Sequence, residues 1–471
     1  MTKARRRSTA FMLSCQTGLV ALLLPLAAGL SAQQQPPGAY GSVYSPRATM
    51  ARVYPGGGLR VMPPATGFDV REFEAQAQSL VTTQKIPGLA MAIVQGGQVL
   101  SARGYGVTDV HQPEMIDAHT VFRLASLSKS FASTVTGMMV AEGSLRWDTR
   151  VIDYYPTLQF SHPDAAWRLS VADVLSHRVG VSHNAFDRDL ERDQDYYTLV
   201  RKLADTPMQC WPGECYAYQN IAYSLIGDVI TGASGQPFEE VVARRLFKPL
   251  GMHDASYGLE GIAASKRWAK PHVHAGRGWT SLHPKPNYYW VAPAAGVNAS
   301  ISDMTQWLLA QSGYRPDVLS GSLLATLHSP LIDTPSELRG SKWRRDRLNS
   351  AGYGLGWRIF DYAGHRLVYH GGAVQGYRGV IALMPERDLG VVVLWNSTSS
   401  APSGLLPAIL DRAIGIHPQP WIESESDPEE GLYAQRPSGP SVAVPQAQVQ
   451  GQTQANDGAG VEASVSNANP H

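Results

Sequence analysis

Cysteine is scarce in this chain, and so are long apolar segments and an excess of charge of either sign. Three of the 471 residues are cysteine, which excludes a small disulfide scaffold and a cysteine-rich zinc protein. The formal net charge is +1, so there is no electrostatic basis for binding nucleic acid or an anionic membrane surface. Beyond the N-terminal region, no segment is long and apolar enough to span a bilayer.

Two common catalytic signatures are missing as well. The sequence contains no Gly-x-Ser-x-Gly string, which argues against an α/β-hydrolase, and no His-Glu-x-x-His string, which argues against a zinc peptidase of that type. His272 and His274 form a His-x-His pair that can bind a metal, but a third ligand is not nearby in the sequence. The sequence therefore predicts neither a metal nor a cofactor.

The N-terminus has the pattern of an export signal. Basic residues between Lys3 and Arg7 precede an apolar stretch from Ala10 to Leu30, and Leu30-Ser31-Ala32 resembles a cleavage site. We expect residues 1–32 to be a signal peptide and the protein to be periplasmic or secreted. The alternative is an uncleaved N-terminal membrane anchor, because the apolar stretch is nearly long enough to span a bilayer.

The cysteines fit export. Cys15 would leave with the signal, and Cys210 and Cys215 then remain as an even pair in an oxidising compartment. Pro212-Gly213 between them favours the turn that a short disulfide loop requires. The sequence predicts a Cys210–Cys215 disulfide.

Composition divides the remainder of the chain. Residues 33–66 are rich in Pro, Gln and Gly and are predicted to form a mobile tether, and residues 419–471 a disordered tail. The domain predicted between them, 67–418, has strand patterns near both ends and a mainly helical stretch at about 145–293. This order indicates an α/β (α+β) fold, in which an antiparallel sheet flanked by helices carries an inserted helical subdomain. A cleft at the junction is the expected site.

The first chemical string is Ser126-Leu127-Ser128-Lys129. It lies at the predicted start of a helix, so Ser126 and Lys129 share one helical face. A serine needs a base to become a nucleophile, and a lysine held away from water loses its proton more readily. Taken alone, such a string is more often a capping serine with a solvated lysine.

Two further strings supply the remaining parts of an acyl-transfer site. In Tyr218-Gln219-Asn220, the phenol of Tyr218 can pass a proton to a leaving group, and the amide of Asn220 can hold Lys129 and a substrate carbonyl. His370-Gly371-Gly372 ends a predicted strand, where glycine lets a substrate approach the backbone and the Ala373 N–H can serve an oxyanion. Taken alone, the first of these strings is more often a core tyrosine with a helix-capping asparagine, and the second is more often a glycine turn after a strand.

In the order and spacing of these strings and in the residues around them, the chain resembles the serine β-lactamase and penicillin-binding DD-peptidase superfamily, in its class C-like branch. The resemblance covers most of 67–416 and also includes Val174 to Gly180 and Pro293 to Val297. It implies a β-lactamase/transpeptidase-like fold and acylation of the first-string serine. Further roles that it implies are proton transfer by Lys129 and Tyr218, and substrate binding by Asn220, His370, Gly371, Gly372 and Asn184.

One departure from that pattern bears on the substrate. Related β-lactamases and DD-peptidases usually place a hydroxyl residue in the middle of the third string, where Gly371 stands here. Without that hydroxyl, we expect weak β-lactam hydrolysis and better turnover of neutral esters or amides, unless Arg378 on the next strand compensates.

The sequence therefore predicts an exported serine hydrolase that acts through an acyl-enzyme on Ser126. Its substrate would be a small molecule or peptide with an amide or ester bond: a β-lactam, a D-amino-acid peptide or a carboxylic ester. The alternative is a non-catalytic penicillin-recognising protein that senses cell-wall fragments. Lys129 and Tyr218 together favour the enzyme, because a pure binder needs neither.

Overall fold

A computed structural model gives the structure of the chain, and it describes residues 62–276 and 278–424. The predicted signal peptide, most of the predicted tether and most of the predicted tail lie outside the described residues.

Strands occur near both ends of the described chain and in its middle. They are β1 (Gly88–Gln95), β2 (Gln98–Gly106), β3 (Val121–Arg123), β4 (Ser256–Tyr257), β5 (His272–Ala275), β6 (Gly278–Ser281), β7 (Val297–Ser300), β8 (Ile332–Asp333), β9 (Leu348–Tyr353), β10 (Arg358–Tyr362), β11 (His365–Val374), β12 (Tyr377–Met384) and β13 (Leu389–Trp395).

Most helices lie between β2 and β8. They are α1 (Val70–Thr82), α2 (Ser128–Ala141), α3 (Ala165–Arg168), α4 (Val171–Leu175), α5 (Asp187–Glu191), α6 (Tyr196–Arg201), α7 (Leu225–Ser234), α8 (Phe238–Val242), α9 (Lys248–Leu250), α10 (Gly258–Ala263), α11 (Ala292–Ala295), α12 (Ile301–Gln311), α13 (Gly321–Leu327), α14 (Lys342–Arg347), α15 (Leu405–Ile414) and α16 (Trp421–Ser424).

The largest sheet in the described part of the chain is antiparallel and has eight strands, in the order β2-β1-β13-β12-β11-β10-β9-β8. It joins strands from both ends of the domain, so β1 pairs with β13 across nearly 300 residues of sequence. This confirms the predicted α/β fold with an antiparallel sheet flanked by helices. The stretch between the two sets of strands is not purely helical, because β5 and β6 form a separate hairpin and β3, β7 and β4 a small second sheet.

Apolar side chains cover both faces of the large sheet. One face, with Leu89, Met91 and Val391, packs against α1 and α15. The other, with Ala92 and Val392, packs against α2, α12 and the helices of the insertion. The central strands β1 and β13 are therefore buried along almost their whole length and are mainly apolar, as strands covered on both faces must be.

Helix α2 runs through the centre of the second core. Its small and hydroxyl residues allow close packing on all sides, and the hydroxyls satisfy themselves locally. Thr134 and Thr136, for example, donate to backbone carbonyls of the preceding turn at 2.7 Å. A helix that is buried all round can therefore carry Lys129 into the interior.

The packed domain extends beyond both predicted boundaries. The backbone N–H of Met62 donates to the carbonyl of Glu386, within the segment predicted to be a tether. Trp421 is 1% exposed and its indole N–H donates to Asp411 at 2.9 Å, within the segment predicted to be a tail. Composition missed these contacts, because a single buried tryptophan hardly changes the average polarity of a segment.

Candidate active site

Ser126 lies in a tight turn that the structure builds ahead of α2. The turn, Ala125–Leu127, is a 3₁₀ helix, and α2 begins at Ser128, two residues later than the sequence predicted. Ala125 has φ of 49°, in the left-handed region that costs a non-glycine residue free energy. The Ser128 hydroxyl fixes this turn to β7, because it donates to the Ala125 carbonyl at 2.6 Å and accepts from the Val297 N–H at 3.0 Å.

The Lys129 amine lies directly beneath the Ser126 hydroxyl. Lys129 is 0% exposed, and its Nζ is 3.3 Å from Ser126 Oγ, 2.7 Å from Asn220 Oδ1 and 3.2 Å from the Ala294 carbonyl oxygen. Burial lowers the pKa of Lys129 well below that of an ordinary lysine; the charge of Asp187 opposes this shift and that of Arg358 adds to it.

The three contacts of Lys129 suit a neutral amine. The oxygens of Asn220 and Ala294 can only accept, so they take the two N–H donors of an uncharged amine. The remaining lone pair then faces Ser126 Oγ, which can donate its proton to it. The arrangement therefore provides a hydroxyl with a base already in place.

Asp187 supports this arrangement from behind, and sequence reasoning missed it. Its carboxylate accepts a 2.7 Å hydrogen bond from the Asn220 amide nitrogen, which turns the amide oxygen toward Lys129. Burial raises the pKa of Asp187 to about 6, although the Asn220 hydrogen bond and the Lys129 charge oppose this. The predicted contact of Asn220 with Lys129 is therefore present, whereas its predicted contact with substrate stays a prediction for a side chain that is 2% exposed.

Tyr218 and Asn184 stand together at the opening of the cleft. The Tyr218 ring lies with its centroid 4.6 Å from Lys129 Nζ. The Asn184 N–H donates to the Tyr218 carbonyl at 2.8 Å, so these two predicted site residues lie side by side. Asn184 Oδ1 is buried and lacks a hydrogen-bond partner among the described residues, which leaves an acceptor beside the cleft.

The third string lies within β11 instead of at its end. The strand continues to Val374, but its pairing with β10 stops at Tyr369, so the following residues present a free backbone edge to the cleft. Glycine is required at 372, because a methyl group there would lie 2.6 Å from the Leu124 carbonyl oxygen and 3.1 Å from Ser126 N. The Ser126 turn thus packs directly against the strand backbone.

The side chain of His370 is turned away from the cleft and buried. It belongs to a hydrogen-bond chain with His177 and Tyr353, in which the Tyr353 hydroxyl is 3.1 Å from Nε2 of each histidine. His177 Nδ1 accepts from the Gln219 N–H at 3.1 Å, and His370 Nδ1 donates to the Gly371 carbonyl at 2.7 Å. The imidazole of His370 is thus 0% exposed and does not line the cleft, and its predicted contact with substrate stays a prediction.

The two ends of this chain fix the direction of every bond in it. Because His177 Nδ1 accepts, its Nε2 carries the proton and donates to Tyr353; because His370 Nδ1 donates, its Nε2 accepts from Tyr353. Burial lowers the pKa of both histidines and raises that of Tyr353, so all three stay neutral. The chain ties the Tyr218 segment to β11.

Positive charge dominates the cleft wall. Arg358 and Arg344 share one buried carboxylate, that of Glu337, at 3.1 and 2.6 Å. Burial alone would raise the pKa of Glu337, but the two guanidinium groups outweigh it and hold the pKa below its usual range. The cleft is lined by Ser126, His183, Asn184, Tyr218, Ser341, Trp343, Arg344, Arg358, Tyr369, Gly371, Gly372, Ala373, Arg378, Gly379, Val380, Trp395 and Ser403.

The structure contains the disulfide between Cys210 and Cys215. The loop that it closes lies against the segment of His177, since the Gly213 N–H donates to the Arg178 carbonyl and the Gln209 N–H to the Gly180 carbonyl, both at 2.8 Å. His272, considered above as a metal ligand, has both ring nitrogens in hydrogen bonds with backbone groups of Val110 and Asn396.

Comparison with known proteins agrees with this geometry. The family model described as Beta-lactamase matches residues 73–415. The chain belongs to the β-lactamase family. It is a serine hydrolase of that family in the broad sense, and the predicted resemblance is confirmed.

Among curated relatives, penicillin-binding protein 4 of Amycolatopsis lactamdurans is 26% identical over 366 residues, 74% of this chain and 91% of that protein. The unguisins hydrolase ungD of Aspergillus violaceofuscus is 24% identical over 394 residues, but the match covers only 67% of that longer protein. The octameric penicillin-binding protein homologue from Pyrococcus abyssi has a similar fold, with a TM-score of 0.65 at 24% identity over 75% of this chain and 79% of its own.

The helices of residues 62–276 and 278–424 include none with the length and apolar character that a membrane crossing requires.

Proposed function

We propose that the protein is an exported serine hydrolase that cleaves an amide or ester through an acyl-enzyme on Ser126. The observation that carries this proposal is the buried Lys129 amine beneath Ser126 Oγ, with its two N–H groups committed to carbonyl oxygens. A lysine that only stabilised the fold would gain nothing from being buried without a carboxylate in direct contact.

In the proposed reaction, Ser126 Oγ bonds to the substrate carbonyl carbon while its proton moves to Lys129 Nζ. The carbonyl electron pair becomes an oxyanion, which accepts hydrogen bonds from the backbone N–H groups of Ser126 and Ala373. When the oxyanion collapses, the bond to the leaving group breaks, Tyr218 gives its phenol proton to the leaving group, and the proton held by Lys129 passes back to Tyr218. Water then hydrolyses the ester on Ser126 by the same proton transfers.

The relatives support hydrolysis of amides or esters but differ in substrate. Proteins of similar fold include a D-amino acid amidase from Ochrobactrum anthropi and the hydrolase EstCE1, with TM-scores of 0.59 and 0.62. We therefore retain β-lactams, D-amino-acid peptides and carboxylic esters as candidate substrates. Export is supported by the disulfide and by the signal-like residues 1–32, which would precede a catalytic domain that extends to about residue 424.

The test is to incubate the protein with a fluorescent penicillin and with an activated ester, and to identify the labelled peptide by mass spectrometry. We expect the label on Ser126, and we expect Ser126→Ala to abolish both labelling and turnover. Lys129→Ala should be comparably inactive, since nucleophile and base act as a unit.

Ser133→Ala is the matched control, because Ser133 lies on the same helix but donates to the Ser130 carbonyl, away from the cleft. It should retain turnover. Full activity of Ser126→Ala on any good substrate would refute the proposal. Labelling of Ser126 without turnover of any candidate substrate would instead support the penicillin-recognising sensor.

A further inference from the structure

The face of β11 that carries Gly371 has a hydroxyl group in the place of the missing side chain. A methyl group added to Gly371 would lie 2.9 Å from the phenol oxygen of Tyr369, whereas the nearest ring carbons would be 3.6 and 3.8 Å away. Only the oxygen of Tyr369 thus enters the space that a side chain at 371 would occupy. The two residues are two apart on one strand, so they share a face of the sheet.

Packing holds the Tyr369 ring in this position. The ring centroid is 5.6 Å from that of Trp343 and 5.6 Å from that of Phe360, and Tyr369 is only 4% exposed. Tyr369 nevertheless lines the same cleft as Ser126. A rigid aromatic side chain that presents its hydroxyl at a cleft loses little conformational entropy when it binds a ligand.

The same sheet face carries a guanidinium group. In the register of β11 with β12, Ala373 is opposite Arg378 and Gly371 is opposite Val380, so the side chains of Tyr369 and Arg378 lie on one face, on either side of Gly371. Arg378 lines the cleft together with Arg344 and Arg358. The described residues that line the cleft include no aspartate or glutamate.

We propose that Tyr369 is a specificity-determining residue, whose hydroxyl donates a hydrogen bond to a carboxylate of the substrate that Arg378 also contacts. The inference rests on the proposed serine hydrolase function and names its substrate class as anionic. It replaces the expectation of neutral substrates, which followed from the missing hydroxyl at 371, because the hydroxyl is supplied from two residues earlier on the strand.

The test uses matched thioesters that carry either a carboxylate or a carboxamide, on the acyl group or on the leaving group. Wild-type protein should prefer the carboxylate in kcat/KM. Tyr369→Phe keeps the packed ring and removes only the hydroxyl, so it should lower kcat/KM for the carboxylate substrates by about 10- to 100-fold and change the carboxamides far less.

A second pair of variants separates the hydroxyl from its surroundings. Without the phenol oxygen, a side chain at 371 meets the ring at an ordinary 3.6 Å. Tyr369→Phe combined with Gly371→Ser should therefore recover about tenfold in kcat/KM on the carboxylate substrates. The matched control, Tyr369→Phe with Gly371→Ala, adds the same carbon without a hydroxyl and should recover nothing.

The inference is overturned by an unchanged ratio of carboxylate to carboxamide turnover in Tyr369→Phe, or by equal activity of the serine and alanine double variants. A wild-type protein that hydrolyses simple activated esters but does not prefer the carboxylates would overturn it too, and would leave the proposed function intact. Absence of both turnover and Ser126 labelling would refute the proposed function itself.

Discussion

The amide oxygen of Asn220 accepts a 2.7 Å hydrogen bond from Lys129 Nζ. Both residues are buried, Asn220 with 2% exposure and Lys129 with 0%. Together with the contact to the Ala294 carbonyl, this bond takes up both N–H groups of a neutral amine and leaves its lone pair toward Ser126. The reactivity of the site therefore depends on the charge state of one buried lysine, which neighbouring charges can tune.

The first prediction concerns Arg358, whose charge lowers the pKa of Lys129. Arg358→Gln removes a repulsion against the protonated amine, so the pKa of Lys129 should rise. Because only the neutral amine can take the proton of Ser126, the acid limb of kcat/KM should move to higher pH. The measurement is a pH profile with a neutral activated ester. Arg345→Gln, at an exposed position on α14, is the control and should leave the limb in place; a limb that moves to lower pH in Arg358→Gln would contradict this account.

The second prediction concerns Asp187 and stability. Its pKa is raised from 3.8 to about 6, first of all by burial. Between these two values the folded state holds a proton that the unfolded state has released, so the contribution of Asp187 to stability falls as pH rises through that window. Asp187→Asn removes the titration. The free energy of unfolding of the wild type, measured by urea denaturation relative to the variant, should fall by up to about 3 kcal/mol from pH 4 to pH 7. A difference that stays constant or grows with pH would count against it.

The third prediction concerns the contact between the Ser126 turn and β11. Gly372→Ala places a methyl group 2.6 Å from the Leu124 carbonyl oxygen, so strand and turn must separate. Turnover should fall by about 100-fold, because small displacements of reacting groups are costly, while the circular dichroism spectrum stays native. Gly321→Ala serves as the control, since a methyl group there meets nothing within 4 Å. Equal activity of the two variants would show that the contact is unimportant.

The fourth prediction concerns the end of the packed domain. Truncation after Ser424 should leave stability and turnover unchanged, whereas truncation after Pro418 also removes the buried Trp421 and its hydrogen bond to Asp411. The second truncation should lower the free energy of unfolding by about 3–5 kcal/mol, as loss of a buried tryptophan does. The measurement is the melting temperature of both truncated proteins. Equal melting temperatures would show that the α16 contact does not stabilise the domain.

Much of the fold can be predicted from the sequence. Apolar patterns predict strands over 377–384 and 389–395 and a helix over about 405–414, and β12, β13 and α15 have these bounds, since each segment is mostly apolar and ends at turn residues. Ser126, Lys129 and Tyr218, which the motifs indicate as nucleophile, base and proton donor, also lie close together. Ser302-Asp303 predicts a helix cap, but α12 begins two residues earlier and is capped by Ser300, because either serine can serve as the cap.

The remaining site residues could not be predicted, because their roles depend on contacts between distant segments. Asp187 reaches Asn220 across 33 residues, and Tyr353 reaches His177 across 176. The sequence shows that residue 371 lacks a side chain. It does not show that the Tyr369 hydroxyl occupies that space, because this depends on the sheet and on the packing of the ring. The sequence signal for a residue such as Asp187 is an ionisable side chain in a segment near a motif, and this signal is weak.

The one-way hydrogen-bond chain through His177, Tyr353 and His370 limits how the third string can change. A protonated lysine at 370 would offer only donors, so Tyr353 would accept from both neighbours and its own hydrogen would face buried space without an acceptor. Exchange of histidine for lysine is therefore not a single-step substitution in this protein. It requires a simultaneous change at 353 or 177, so we expect the residue types at these three positions to be correlated among related proteins.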